Sequence, residues 1–452
     1  MPLPAETAGY VHGSQGRDAS RSISRRDRDL TFVTPRALHL THDGRLDDAA
    51  VLADPRLVRV MALLNRDGEE TRVVGGAVRN ALLGLPPGDI DLATTALPDA
   101  VLARAKSAKL RAIPTGIAHG TVTLLAGGLP LEVTTLREDV DTDGRHAVVR
   151  FGRDFARDAD RRDFTVNALS AGLDGRLHDT TGGVTDLAAG RIRFIGDATT
   201  RIREDYLRIL RFFRFHATYG VGPLDPEGLA AAVANRDGLD RLSRERVRAE
   251  LMKLLAAPAA AAVLDTMDRE GFLDHVLGGA ADVPRMARLA AQAPDDADPL
   301  LRLSALAVRS PDDIDRLREA LRLSNGERDR LLAGLTASAS LDARPPDAAR
   351  LRALLFEHGR AASSDGLRLA RASDPDGDAG WDVAIAILRD CPMPRFPFTG
   401  EDVMARGLKG PAVGAALADL RRSFAAAGFP DDAGSRNRLL DRCLPTPPRD
   451  RE

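Results

Sequence analysis

A chain of 452 residues is longer than one ordinary hydrophobic core organises, so two or more domains are expected. Apolar residues at 44% and charged residues at 29% fit a water-soluble globular protein, and an aromatic share of 4% leaves little for base-stacking platforms. A formal net charge of −2 excludes a uniformly basic nucleic-acid binder, though not local basic patches.

Two cysteines, Cys391 and Cys443, exclude a disulfide framework and a cysteine-based zinc site. No apolar run is long enough to span a bilayer, and the first residues lack the apolar core of a signal peptide. The expectation is a cytoplasmic protein with no membrane partner.

Residues 1–30 are polar and aperiodic, so disorder or loose packing is expected, with the cluster Arg21–Arg28 a solvated tail. Apolar residues at helical spacing predict a helix over Pro55–Leu64. Arg72–Val74 is a short β-branched run, read as the end of a strand. It enters Gly75-Gly76, where a backbone without Cβ atoms can turn sharply and approach a ligand. Ala77–Leu83 has helix-forming composition, stopped by Gly84 and Pro86-Pro87. A second strand carries Asp89-Ile90-Asp91-Leu92-Ala93, so Asp89 and Asp91 share one face while Ile90 and Leu92 take the other.

Paired carboxylates repel unless a cation lies between them, and hard oxygen ligands with room for water and phosphate suit Mg²⁺. Backbone amides after Gly75-Gly76, with Arg79 one turn in, can hold an anion beside that pair. Asp-x-Asp alone arises easily by chance as a solvated strand end. Joined to GG-x-x-R at this distance, it favours a site for metal-assisted phosphoryl or nucleotidyl transfer.

The stretch GGAVRNALLG…DIDLATTA resembles the signature of the class II tRNA nucleotidyltransferase and bacterial poly(A) polymerase family. One departure is Asn80, where the family usually has Asp. The resemblance implies an α+β protein: a nucleotidyltransferase palm with a small mixed sheet, then an all-helical neck, body and tail. The matching divisions are an N-terminal extension over 1–48, the palm over 49–198, the neck over 199–260, and body and tail over 261–452.

Further along, a helix is predicted over Pro98–Lys106 and strands over Arg111–Pro114, Thr121–Leu125 and Leu131–Thr135. Gly116–Val122 resembles the family's G-x-x-HGTV segment, giving His119 a structural role beside the site. Glu132 alternates with Leu131 and Val133, the pattern that brings a third carboxylate to an acidic site. Residues 138–147 lack apolar period and read as a mobile loop, with Arg145 matching the family and His146 not.

Asp158–Leu169 closely resembles the RRDFT-[IV]-NA motif, implying nucleotide contacts for Arg161, Arg162 and Asp163. Planar guanidinium suits phosphate, and carboxylate can accept from ribose hydroxyls. Asp179–Gly190 and Ile192–Ile195 look like a turn and the palm's final strand. Glu204–Phe215 reads as one helix with Asp205, Arg208 and Arg211 in a stripe. A surface salt-bridge ladder would give the same spacing. The match to ED-x-x-R followed by R-x-x-RF instead implies that Asp205 and Arg208 read the incoming base, with Arg211 and Arg214 also on the nucleotide. Leu242–Leu251 resembles a bracing helix with Ser243 as its N-cap.

From about Ala257, Leu/Ala/Arg-rich amphipathic helices run on without a defensible repeat. Phe398–Met404 and Gly407–Gly414 resemble a Gly-rich family segment suited to an RNA backbone. His275 and His358 read as isolated, so no second phosphohydrolase site is expected.

The resemblance implies template-independent transfer of CMP and AMP from CTP and ATP to the tRNA 3′ end, releasing pyrophosphate. Asp89 and Asp91 would bind Mg²⁺ with Glu132 in support, and Gly75, Gly76, Arg79, Arg161 and Arg162 would hold the nucleotide. Poly(A) polymerase, C-only and A-only activities share these motifs. A non-catalytic tRNA-binding protein remains the alternative from another class. The sequence leaves the oligomeric state open.

Overall fold

A computed structural model describes residues 36–46, 50–142, 147–294 and 296–445. The expected disordered tail over 1–30 and Arg145 lie outside them.

The Pro55–Leu64 helix starts where Pro55 needs no donor, with the Asp54 carboxylate accepting from the Arg56 amide at 2.8 Å. Its apolar face packs on a seven-stranded mixed sheet. The strands are β1 Thr71–Val74, β2 Ile90–Thr94, β3 Arg111–Gly116, β4 Thr121–Ala126, β5 Leu129–Thr135, β8 Ser170–Ala171 and β9 Leu177–His178. Their order is β3-β4-β5-β2-β1-β8-β9. Only β2 and β5 run parallel, setting Asp91 level with Glu132. β1 pairs antiparallel with β2 and sets Val74 opposite Asp91.

Four expectations are corrected. The predicted loop over 138–147 is largely a hairpin, because β6 Arg137–Thr142 pairs antiparallel with β7 Ala147–Phe151. Charged side chains hid β-branched residues at Val140, Thr142, Val148 and Val149. Ile192–Ile195 forms a single bridge, Phe164 to Phe194, rather than a strand. The ring of Phe194 is fixed there against the tilted ring of Phe164, 4.8 Å between centroids, and by stacking on Phe212 at 5.4 Å.

The predicted Glu204–Phe215 helix is broken. One helix spans Ala198–Glu204 and the next, the neck helix, Leu207–Tyr219. Asp205 between them is extended, and its side chain accepts from the Leu207 amide at 3.1 Å. A short acidic side chain competes with helix continuation in this way. Finally, Ser243 occupies the N-cap position of the Arg244–Leu255 helix but makes no capping bond with its side chain.

One cluster of buried apolar residues runs from Leu46, in the expected N-terminal extension, through the palm to Ala372. A second gathers around Trp381, and a third joins Phe356 to Phe398, Phe424 and Phe429. No helix of the described residues is long and apolar enough to cross a membrane.

Candidate active site

The active-site cleft, about 770 Å³, opens where the sheet face of β2 and β5 meets the neck helix. That volume suits a nucleotide-sized ligand. Its floor carries Asp89, Asp91 and Glu132, and its walls carry Arg79, Arg137, Arg161, Arg162, Arg208, Arg211 and Arg214. The sheet register explains the floor, since neighbouring parallel strands point Asp91 and Glu132 to one side. Asp89 lies one residue before β2 begins.

Asp91 is open to solvent at its tip but walled by protein. Desolvation raises its pKa first, then Glu132 and Asp89, while Arg162 opposes them. A carboxylate pushed up by burial and by like charges is one that a cation would relieve. Among the described residues no group of three or more His, Cys, Asp or Glu side chains is placed to hold a metal ion. The chemistry of the Asp89 and Asp91 carboxylates, hard oxygen donors lining a cleft with room for phosphate and water, is of the kind that suits Mg²⁺.

Above the floor, Gly75 has φ 68 and ψ −124, a conformation suited to glycine. A Cβ there would lie 2.9 Å from Nη1 of Arg162, so the glycine also admits that arginine. Arg162 is fixed by the Asn167 carbonyl at 3.3 Å and by Asp158 at 3.5 Å. Arg161 meets the same buried Asp158 at 2.5 Å. The arginine pair itself thus lines the cleft, with Asp158 as an anchor that sequence reasoning passed over. The i,i+3 and i,i+4 spacing of Asp158 from the two arginines was the available signal.

Asp163 differs from its expected ribose contact. Its Oδ1 accepts from the Phe164 amide at 2.9 Å and from Asn167 at 3.0 Å, and its Oδ2 from Arg211 Nε at 2.7 Å. Burial alone would raise its pKa, but Arg211, Asn167 and the Phe164 amide outweigh burial and hold it below the usual range. Asp163 is a positioning residue for Arg211. Glu250 does the same for Arg214, at 2.5 Å, and its place in the bracing-helix motif over Leu242–Leu251 was its only local mark.

Asp205 and Arg208 both line the cleft, though they are not on one helix. Asp205 pairs with Arg246 at 2.7 Å and Arg208 with Glu204 at 2.5 Å. Arg79 is buried beneath the glycine pair, its charge disfavoured first by desolvation. His119 ends a 3₁₀ turn and is absent from the cleft lining, whereas Thr121 after it is present. Gly407–Gly414 also lies outside the lining. His275, expected to be isolated, faces Asp240 at 3.1 Å.

Residues 71–193 match the family described as the poly A polymerase head domain. Residues 223–283 match a probable RNA and SrmB-binding site of polymerase A. The mitochondrial CCA tRNA nucleotidyltransferase 1 of Danio rerio is 42% identical over 241 residues, 52% of this chain and 56% of that protein. Its Homo sapiens counterpart is 47% identical over 196 residues, 43% of this chain and 45% of that protein. The chain thus spans about half the length of the curated relatives it matches. A Bacillus stearothermophilus CCA-adding enzyme, solved in complex with CTP, superposes with a TM-score of 0.69 at 29% identity, over 86% of this chain and 96% of that one. Residues 71–193 and 223–283 thus resemble the poly A polymerase head and RNA-binding families, on a fold similar to that of a CCA-adding enzyme.

Proposed function

We propose that this protein adds CMP and AMP, from CTP and ATP, to the 3′ end of tRNA without a nucleic-acid template. The 3′-oxygen of the RNA bonds to the α-phosphorus and pyrophosphate leaves. The observation that carries the reading is one cleft in which Asp89 and Asp91 face an arginine array from several different elements. Relatives named as CCA-adding enzymes or CCA tRNA nucleotidyltransferases support it.

Asp89 and Asp91 would hold Mg²⁺, with Glu132 beside them keeping the floor acidic. When bound, the ion lowers the pKa of the attacking hydroxyl and neutralises charge on the phosphates. Arg161 and Arg162, braced by Asp158, orient the phosphates along the floor. Asp205 and Arg208 face the base: a carboxylate accepts from the exocyclic amine that C and A share, and guanidinium donates to ring nitrogen or carbonyl. Uracil and guanine present a carbonyl where that amine would be. The proposed compartment is the cytoplasm, with cell fractionation the direct check, because the Danio and human relatives are mitochondrial by name.

The test incubates the pure protein with tRNAs ending before CCA, after the first C and after CC, offering each NTP separately with Mg²⁺. Stepwise C, C, A addition is expected. Runs of A on any RNA would assign poly(A) polymerase, and binding without incorporation would make it a non-catalytic tRNA-binding protein.

A further inference from the structure

The cleft arginines differ in how their charge is met. Arg161 and Arg162 face Asp158, Arg208 faces Glu204, Arg211 faces Asp163 and Arg214 faces Glu250, each within 4.0 Å. Arg79, only 6% exposed, has no carboxylate at that range among the described residues, and Asp163 meets its charge only from farther off. Its donors reach neutral acceptors: Asn167 Oδ1 at 2.5 Å, the Tyr219 hydroxyl at 2.8 Å and Asn80 Oδ1 at 2.9 Å. The Tyr219 ring lies 4.1 Å below the guanidinium.

Asn80 is held at both ends. Its Nδ2 donates to the Pro86 carbonyl at 2.9 Å, which fixes Oδ1 towards Arg79. A carboxylate in its place would keep the acceptor, add a countercharge and lose the Pro86 bond. A buried guanidinium with no carboxylate in contact is costly, and an arriving anion lowers that cost. Gly76 comes so close that a Cβ on it would lie 3.5 Å from Nη2 of Arg79, so phosphate reaching the glycine turn comes within range of this charge.

We propose that Asn80 withholds a protein countercharge from Arg79, so that the phosphates of a bound nucleoside triphosphate supply it. This rests on the nucleotidyltransferase reading above. It makes an amide at position 80 a determinant of polyphosphate affinity.

The experiment first establishes transfer by the wild-type protein on tRNA lacking CCA, which tests the function alone. Affinity for inorganic tripolyphosphate without metal, by calorimetry, and KM for CTP with Mg²⁺ are then compared across variants. Asn80→Asp is expected to weaken both by roughly tenfold, more at low salt than at high. Asn80→Ala loses the same Pro86 bond without adding charge and is expected to stay within about threefold of wild type. Asn80→Glu against Asn80→Gln repeats the comparison should either shorter variant melt early. An Asn80→Asp protein that binds tripolyphosphate as tightly as wild type overturns the proposal. Equal weakening in Asn80→Ala also overturns it, by placing the effect in the Pro86 tether.

Discussion

Burial, Glu132 and Asp89 raise the Asp91 pKa above that of an ordinary carboxyl, so the folded chain favours its neutral form. Stability from this group is full below the unfolded pKa and is lost as pH rises through the raised folded value. At neutral pH the ionised Asp91 therefore opposes folding until a cation arrives. Asp91→Asn should abolish transfer yet raise the melting temperature in EDTA, by on the order of a degree or two because the group is partly exposed. Added Mg²⁺ should stabilise the wild type and not the variant, and wild-type transfer should fall away on acidification before ordinary carboxylates titrate. An Asp91→Asn protein melting at or below wild type in EDTA would remove the strain argument. At this scale the residues that alternation and motif spacing could reach, such as Asp91, Glu132 and Arg162, were legible. Asp163 was visible, but its bond from Arg211, 48 residues on, was not, because only the fold brings the two together. Tyr219 carries no local mark and Glu250 only its place in the bracing-helix motif, since their partners Arg79 and Arg214 lie 140 and 36 residues away.

Helices and strands with apolar period were read to within a residue or two, as at Pro55–Leu64 and β5. Periodicity failed where a polar side chain replaces a backbone partner, and Asp205 is the case with consequences. Its bond from the Leu207 amide, just before the neck helix, sets it apart from Arg208, so in the proposed role the two would meet a base from a turn and from a first helical turn. Arg246 donates to Oδ2 of Asp205 at 2.7 Å, which keeps the carboxylate aimed. Asp205→Ala should admit UTP on a tRNA lacking CCA, lowering the C-over-U preference roughly tenfold to a hundredfold, since a lost pairing in a closed site is worth about 1–3 kcal/mol. Direct competition of CTP against UTP measures this. If Asp205 served only to cap the helix, the active variant would keep its preference and lose melting temperature instead.

Across the whole molecule, the apolar core does not break at the proposed palm–neck and neck–body divisions; one cluster passes through both. Those divisions mark changes of element type, which composition reveals, and not separate cores. The tail is different. Phe398, Val403, Leu420, Phe424, Phe429, Leu439 and Leu444 form their own cluster, which reaches the rest through Phe356 and through Arg421 donating to the Phe356 carbonyl at 2.8 Å. Trp381 and its neighbours make a second cluster that does not need the tail. Removing residues after 394 should therefore leave the palm, neck and Trp381 cluster folded. The lost segment includes the turn before the Pro411–Ala426 helix, where Gly410 takes φ 60 beside Lys409, a shape and charge suited to a phosphodiester backbone. None of it lines the cleft, so binding of CTP should not depend on it. The truncated protein is expected to show a KM for tRNA raised about tenfold or more and a KM for CTP within twofold of the full chain. Short minihelix acceptors, which lack the rest of the tRNA, should lose less than whole tRNA does. Parallel rises in both KM values, with a melting temperature lowered by many degrees, would show that the tail braces the fold and is not an RNA-binding extension.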